Sequence, residues 1–185
     1  MRAITLFFSI SSFFLFVIPS FGADVAKIGI IDFQRIVQTS SAGKIAMAEI
    51  NKKGKEMEAD LKKRGGELEE LKKKFDREAL VMSKEMREQK GRDFRIKLND
   101  FKTLEKKYSN DLRTLNTRLV SRIQKEVFKL VEEMGKKEGF LMVMERMEGG
   151  VVYFPNSIDI TDRIIQKYNT DFTQKSNKKP ETKKK

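Results

Sequence analysis

The chain contains no cysteine, no histidine and no tryptophan among its 185 residues. The first two residue types supply the thiol nucleophile, the usual general base near neutral pH and the commonest zinc ligands. Their absence argues against enzymatic chemistry, and the sequence therefore predicts no enzyme, no cofactor and no metal site. The redox compartment stays open, because a chain without disulfides is compatible with either side of a membrane.

Proline is also scarce, and the long stretch over residues 45–137 contains none. This stretch is dense in Lys, Arg, Glu, Leu and Met, and its large apolar residues recur at intervals that alternate between three and four. A repeat near 3.5 residues turns one narrow apolar stripe toward a partner helix, which is typical of a coiled coil. The stripe comprises Met57, Leu61, Leu68, Leu71, Phe75, Met82, Phe94, Leu98, Phe101, Tyr108, Leu112, Leu115 and Leu119.

Whether this stretch forms one helix or two depends on a turn near its middle. At 1.5 Å per residue, a single helix would measure ~140 Å and a hairpin about half of that. Ser83 is a suitable N-cap, and Glu85 follows it in the first turn. The seam residues that meet across a turn at Met82 are Leu68 with Phe94 and Leu61 with Phe101. The sequence therefore predicts an antiparallel helical hairpin.

The hairpin departs from an ideal coiled coil at two places. Gly54, Gly65 and Gly66 lie in its first helix, where each costs about 1 kcal/mol relative to alanine. They are either tolerated weak points or the source of a flexible arm. Near Leu119, successive gaps of four residues interrupt the heptad, and we expect the second helix to leave the arm there and to join a body.

The segments on either side of the hairpin have the pattern of β-strands. One covers residues 25–32, and two more cover residues 140–145 and 151–154, with Gly149-Gly150 suited to a hairpin turn between them. Asp159 or Thr161 then caps a short helix. The predicted fold class is α+β, in which a long antiparallel helical hairpin is attached to a small β body. Such a body has exposed strand edges and little surface to bury alone, so we expect its strands to pair between copies.

Charge is abundant relative to apolar material. Charged residues make up 36% of the chain, the mean hydropathy is −0.53 and the formal net charge is +12. Little remains to fill a thick core, so we expect an extended or oligomeric molecule. The positive surplus either indicates acidic partners such as nucleic acid, anionic lipid or acidic protein, or simply keeps the surface solvated.

The two ends of the chain have distinct compositions. Arg2 precedes an uncharged apolar run that ends at Pro19 before small residues, which predicts a secretory signal peptide over residues 1–22, cleaved after Gly22. The alternative, an uncleaved anchor, would have a short span, since ~20 residues are normally needed. Residues 170–185 are polar and rich in lysine, and we expect them to form a disordered basic tail.

Three segments are similar to those of a known family. They read IGIIDFQRIVQTSSAGK over residues 28–44, VSRIQKEVFKLVEEMGKKEGFLMVME over residues 120–145 and VVYFPNSIDITDRIIQKYN over residues 151–169. Together with the hairpin between them, they resemble the Skp/OmpH family of periplasmic chaperones. The most specific features are the opening strand-to-helix segment and the closing Tyr153, Pro155 and Asp-Ile-Thr-Asp at residues 159–162.

The resemblance implies a periplasmic homotrimer whose strands form a small β-barrel and whose hairpins surround a cavity. Such trimers hold unfolded outer-membrane β-barrel proteins without ATP. In this chain the arm would cover residues 38–119, and the body would cover residues 23–37 and 120–169. The residues expected to form the oligomeric body are Ile28, Ile30, Val143, Val152 and Tyr153. The basic lipopolysaccharide-contacting cluster of some members does not align here, although Lys106, Lys107 and Arg113 lie nearby, so an anionic lipid or lipopolysaccharide surface stays open as a partner.

Apolar residues outside the seam and lysines on the arm are the candidates for holding an unfolded client. Weak apolar contacts combined with attraction of acidic segments would give avidity without a fixed sequence preference. Methionine suits this role because its flexible thioether adapts to varied partners. The candidate client-binding residues are Leu80, Val81, Met86, Ile96, Lys62, Lys63, Lys72 and Lys73. The apolar ones could instead pack the hairpin or its tip.

Two other classes of function fit parts of the sequence. A basic coiled coil that binds nucleic acid would explain the charge, but no helix-turn-helix, zinc or aromatic-stacking pattern is visible, and no nucleic-acid partner is expected for an exported chain. A structural adaptor of the cell envelope would explain the signal peptide and the coiled coil equally well.

Overall fold

The computed structural model describes residues 26–177, so the predicted signal peptide and residues 178–185 of the predicted tail lie outside the described part. Its elements follow the chain in the order strand, three helices, strand and helix. They are β1 (Ile28–Ile31), α1 (Phe33–Thr39), α2 (Ser41–Glu78), α3 (Lys84–Glu138), β2 (Met142–Glu145) and α4 (Thr161–Asn177), with a 3-10 turn at Asn156–Ile158 before α4.

The helices α2 and α3 form the predicted antiparallel hairpin. α2 passes through its three interior glycines without a break. Ser83 caps α3, because its hydroxyl oxygen accepts a hydrogen bond of 3.3 Å from the Met86 amide, and Glu85 lies in the first turn as expected. The helical hairpin and its N-cap are therefore confirmed.

The predicted pairing across the seam is wrong by about one helical turn. Phe101 packs on Gly65 rather than opposite Leu61, since a Cβ added at Gly65 would lie 3.7 Å from Phe101 Cζ. Near the tip, Lys90 Nζ donates to Glu78 Oε2 over 2.9 Å. Glu78 is the last residue of α2, so the first turns of α3 extend beyond the end of α2. The turn is therefore asymmetric, whereas the predicted pairing placed the end of α2 directly opposite the start of α3.

The base of the hairpin enters a body with a buried core. Leu119, Ile123, Val127 and Leu130 of α3 are between 0% and 6% exposed. They pack with buried residues of β1, α1, the start of α2, α4 and the residue that precedes α4, which are Ile31, Ile36, Ala42, Ala46, Ile160, Ile164 and Tyr168. The buried part of α3 therefore begins near Leu119, where the heptad is interrupted.

The two strands pair in parallel, with Ile28 opposite Met142 and Ile31 opposite Glu145. The sequence predicted an antiparallel β-hairpin of residues 140–145 with residues 151–154 and did not predict this parallel pairing. The parallel direction has a topological reason, because the whole helical hairpin connects β1 to β2 and returns the chain beside the start of β1. There the Leu141 amide donates to the Lys27 carbonyl over 2.8 Å.

Residues 151–154 do not form the predicted second strand of a β-hairpin. After β2 the chain turns at Gly149, whose amide donates to the Glu145 carbonyl over 2.8 Å. It then crosses to the far side of β1, where the Ile160 amide donates to the Ile30 carbonyl over 3.0 Å. Residues 151–154 therefore pair with no strand of the described chain, and the Val151 amide donates to the Arg146 carbonyl of the turn over 3.0 Å.

The last helix is longer than predicted. α4 extends to Asn177, so residues 170–177 are helical where we expected the disordered tail to begin. Phe172 continues the apolar face set by Ile164 and Tyr168, and it packs against the core. Within residues 26–177, none of the helices contains a segment long and apolar enough to cross a membrane.

Candidate functional site: an open strand edge and an exposed arm tip

The body has an open strand edge beside a set of exposed apolar side chains. β2 pairs only with β1 among the described strands, so its outer edge presents backbone groups that no strand covers. Val152 and Tyr153 are 96% and 84% exposed. The exposed apolar side chains of the body are those of Leu141, Met142, Met147, Val152 and Tyr153, and we call this set the body patch. A strand edge flanked by apolar side chains is typical of a surface that pairs with another chain.

A groove beside β2 adds to this surface. Phe128, Val131 and Phe140 form its apolar wall, together with Leu141 and Met142 of the body patch. Phe128 packs edge-on against Phe33 with 6.1 Å between ring centroids, yet it remains 40% exposed. The groove is therefore a preformed apolar surface of the body and not part of its closed core.

Polar contacts fix the chain where it leaves β2. Glu145 accepts hydrogen bonds from the Phe33 amide over 3.2 Å and from the Glu148 amide over 2.6 Å. Arg146 lies 3.5 Å from Asp32 in an ion pair. These contacts hold the start of the segment that leads to Val152 and Tyr153 against the start of α1.

A second polar cluster joins α1 to the start of α4. Arg35 contacts Asp162 over 2.7 Å and Asp159 over 3.4 Å. The hydroxyl of buried Thr161 accepts a hydrogen bond of 3.0 Å from the Asp32 amide. Sequence reasoning identified the acidic residues only as helix caps and missed Arg35, because the pairing depends on a fold that brings together positions more than a hundred residues apart.

The arm tip carries the most exposed apolar residues of the arm. Leu80 and Val81 are 87% and 88% exposed, and Met86 is 50% exposed. We call these three residues the tip cluster. Leu80 and Val81 lie in the turn between α2 and α3, and Met86 lies in the first turn of α3, which extends beyond the end of α2, so no opposing helix covers these residues. Ile96 is 58% exposed but lies roughly 15 Å further along α3, so it does not belong to the cluster.

The four candidate lysines lie on the exposed surface of α2. Lys73 contacts Glu69 over 3.0 Å and Glu70 over 3.3 Å. The hydrogen bond that Lys73 donates to Glu69, followed by the one that it donates to Glu70, raises the pKa of Lys73. Within the described chain, Lys62, Lys63 and Lys72 make no ion pair, so their charges are the ones available to an acidic partner.

The five residues predicted for the oligomeric body lie in different environments. Val152 and Tyr153 are on the surface. Ile28 and Val143 are half-buried, and Val143 packs against the core of its own chain. Ile30 is 1% exposed and lies inside the body. Sequence reasoning missed Leu141, Met142 and Met147, because an apolar run in a short strand does not show which side the body will cover.

Titratable groups of the described chain form ion pairs and hydrogen bonds that join its elements. Residues 26–177 contain no cluster of three or more acidic side chains with the geometry to hold a metal ion. The largest pKa shift is that of Tyr168, which is raised mainly by burial and then by its hydrogen bond to Glu126. This pair links α4 to α3 inside the body.

Comparisons with known proteins agree with this architecture. Residues 27–168 match the family model described as outer membrane protein (OmpH-like). The chain belongs to this OmpH-like family. It is 28% identical to a Skp-like protein of Pseudomonas aeruginosa over 82% of this chain and 88% of that protein. A crystal structure from Caulobacter crescentus CB15, assigned as an OmpH-like outer membrane chaperone, has a TM-score of 0.72 with 17% identity, over 81% of this chain and 88% of that one. The OmpH-like fold is therefore shown.

Proposed function

We propose that this chain is an ATP-independent holdase that binds unfolded outer-membrane β-barrel proteins in the periplasm and prevents their aggregation before membrane insertion. The observation that carries the proposal is the tip cluster, where three apolar side chains are 50% to 88% exposed on an OmpH-like arm. Exposed apolar groups on a charged arm suit an unfolded chain, which offers apolar segments without a fixed shape.

We also propose that the protein acts as a homotrimer. The open edge of β2 and residues 151–154, which join no strand of the described chain, are different surfaces, so a contact between them joins unlike sides of two copies. Contacts between unlike surfaces build a closed ring when the rotation between neighbouring copies permits it. Three copies per ring follow from the family resemblance. In such a ring, Val152 and Tyr153 of one copy would cover the groove beside β2 of the next.

Aggregation of a diluted client tests the holdase proposal. A urea-unfolded outer-membrane β-barrel is diluted into buffer with the purified protein and no nucleotide, and light scattering is recorded. We expect full suppression near three chains per client. Leu80→Ser with Val81→Ser should weaken suppression, whereas Ile45→Ser, which removes a 55% exposed residue at the arm base, should not. Unchanged scattering at an excess of the wild-type protein contradicts the proposal and favours an envelope adaptor.

Lysines of the arm provide an electrostatic share of client binding in this proposal. Replacing Lys62, Lys63, Lys72 and Lys73 with glutamine should lower client affinity mainly at low salt, since salt screens exposed charges over about 10 Å at 0.1 M. Lys136→Gln, which removes an ion-paired lysine at the far end of α3, is the matched control. If the wild-type protein binds its client with equal affinity at low and high ionic strength, the lysines make no electrostatic contribution and this part of the proposal is contradicted.

An anionic envelope surface is a second candidate partner. Five basic residues lie on the outward face of α3, all exposed and without an ion pair in the described chain, and they are Arg92, Arg95, Lys102, Lys106 and Arg113. A stripe of free positive charge favours contact with lipid phosphate or lipopolysaccharide. We expect flotation with phosphatidylglycerol vesicles and not with phosphatidylcholine vesicles. Absence of flotation with either vesicle at low salt contradicts this part of the proposal.

A further inference from the structure

The last helix contacts both helices of the arm at its base. Asn169 Oδ1 accepts a hydrogen bond of 2.8 Å from the Ser41 amide, the first amide of α2. The neighbouring Tyr168 donates its hydroxyl hydrogen to Glu126 Oε2 of α3 over 2.5 Å. Two consecutive residues of α4 therefore bind the two helices that make the arm.

The contact with α2 completes a helix cap. A helix leaves its first amides without partners inside the helix. Ser40 accepts from the Gly43 amide over 3.1 Å, which is the ordinary capping bond within the chain. Asn169 satisfies the Ser41 amide from another helix, so the start of α2 is capped partly by its own sequence and partly by α4.

The contact with α3 lies at the place where the heptad is interrupted. Glu126 follows Ile123, which is fully buried, and α3 changes there from a two-helix seam to the packing of the body. Tyr168 is 3% exposed, and burial together with the Glu126 hydrogen bond raises its pKa, so the tyrosine stays protonated as a donor. Its ring also packs 6.4 Å from that of Phe172.

Geometry makes these two contacts a constraint on the arm. α3 runs unbroken from arm to body, whereas α2 begins inside the body, where Ala42 and Ala46 of its first turns pack into the core. The arm can swing about the point where α3 leaves the body only if the first turn of α2 moves relative to α3. Because α4 is bonded to both, such a movement must break the Asn169 or the Tyr168 contact.

We propose that α4 is a clamp that sets the angle between arm and body, with Asn169 and Tyr168 as its positioning residues. The inference goes beyond the proposed holdase, since it concerns one chain with or without a client. In a ring of copies the arm angle sets the width of the space between arms. The clamp therefore gives this family member a built-in limit on the size of what its arms enclose.

Distances between spin labels test the clamp directly. The chain lacks cysteine, so labels at Gln34→Cys on α1 and Lys84→Cys at the tip report the body-to-arm distance within one chain diluted with unlabelled protein. We expect Asn169→Ala to broaden the distance distribution. Asn169→Asp should keep the width of the wild-type distribution, because a carboxylate accepts the same hydrogen bond. Tyr168→Phe should broaden the distribution as well.

Two further measurements separate a clamp from a general loss of stability. Arg163→Gln breaks an ion pair with Glu138 in the body without touching α2, and it should leave the distance distribution unchanged. Amide exchange of the first turn of α2 should become about fivefold faster in Asn169→Ala, as expected for a lost cap. Unchanged distance width and exchange rate in Asn169→Ala overturn the clamp whether or not the protein holds clients.

Discussion

The arm and the body use the same kind of apolar repeat but bury it to very different extents. In the body, Ile123 and Val127 of α3 are fully buried. In the arm, Met57 is the only buried hydrophobic residue of α2 between Ile50 and the tip in the described structure, with 7% exposure, and the seam residues of α3 there stay half-exposed. Two helices cover each other along one stripe, whereas the body adds a sheet and two more helices. Burial is therefore decided by the number of layers and not by the sequence repeat.

The largest expected effect comes from truncating one large apolar side chain in each of the two environments. Ile123→Ala in the body should lower the free energy of unfolding by about 3 kcal/mol, because it leaves a cavity in a closed core. Leu68→Ala in the arm seam should cost about 1–2 kcal/mol, since part of the side chain is already solvated. Urea unfolding followed by circular dichroism measures both. Equal losses would mean that the arm is as well packed as the body.

A methyl group at the body end of α2 should have the next largest effect. Gly43 lies so close to α1 that a Cβ there would overlap the Val37 carbonyl oxygen. Gly43→Ala should therefore push apart the corner between α1 and α2 and lower the free energy of unfolding by about 2 kcal/mol. A thermal unfolding midpoint equal to that of the wild type would show that the corner is not tightly packed.

The same substitution in the arm should have the opposite sign. A Cβ at Gly66 meets no atom within 4 Å, and the residue lies in the interior of α2. Gly66→Ala should raise the free energy of unfolding by about 1 kcal/mol, the helix-propensity difference. If the glycines make the arm flexible for clients of varied size, this stabilised variant should hold large clients less well. Unchanged stability would indicate that the arm frays before the rest unfolds.

The smallest effect concerns an ion cluster at the junction of α3, β1 and α4. Arg163 first, and then Lys27, lower the pKa of Glu138 below its usual value of 4.5. A lowered carboxylate pKa stabilises the fold above the unfolded value, and this stabilisation is lost as pH falls through the folded value. Glu138→Gln should therefore be less stable than the wild type by under about 1 kcal/mol at pH 7, and equally stable in strong acid. A difference that grows on acidification contradicts this assignment.

Local signals in the sequence predicted the hairpin, the Ser83 cap, the transition near Leu119 and the family. Each depends on spacing or capping within a few residues. The parallel pairing of β1 with β2 and the free residues 151–154 could not be predicted in that way, because both follow from where the hairpin returns the chain. The exposed candidates Leu80 and Val81 were found from an apolar tip, whereas Arg35 and Asn169 act through contacts formed only in the folded body.

Native mass spectrometry of the protein mixed with a urea-diluted outer-membrane β-barrel tests the central proposal most directly. We expect a species of three chains with one client, formed without nucleotide and lost when Val152→Asp and Tyr153→Asp disrupt the body patch. A single chain or a dimer that never carries a client would contradict the account.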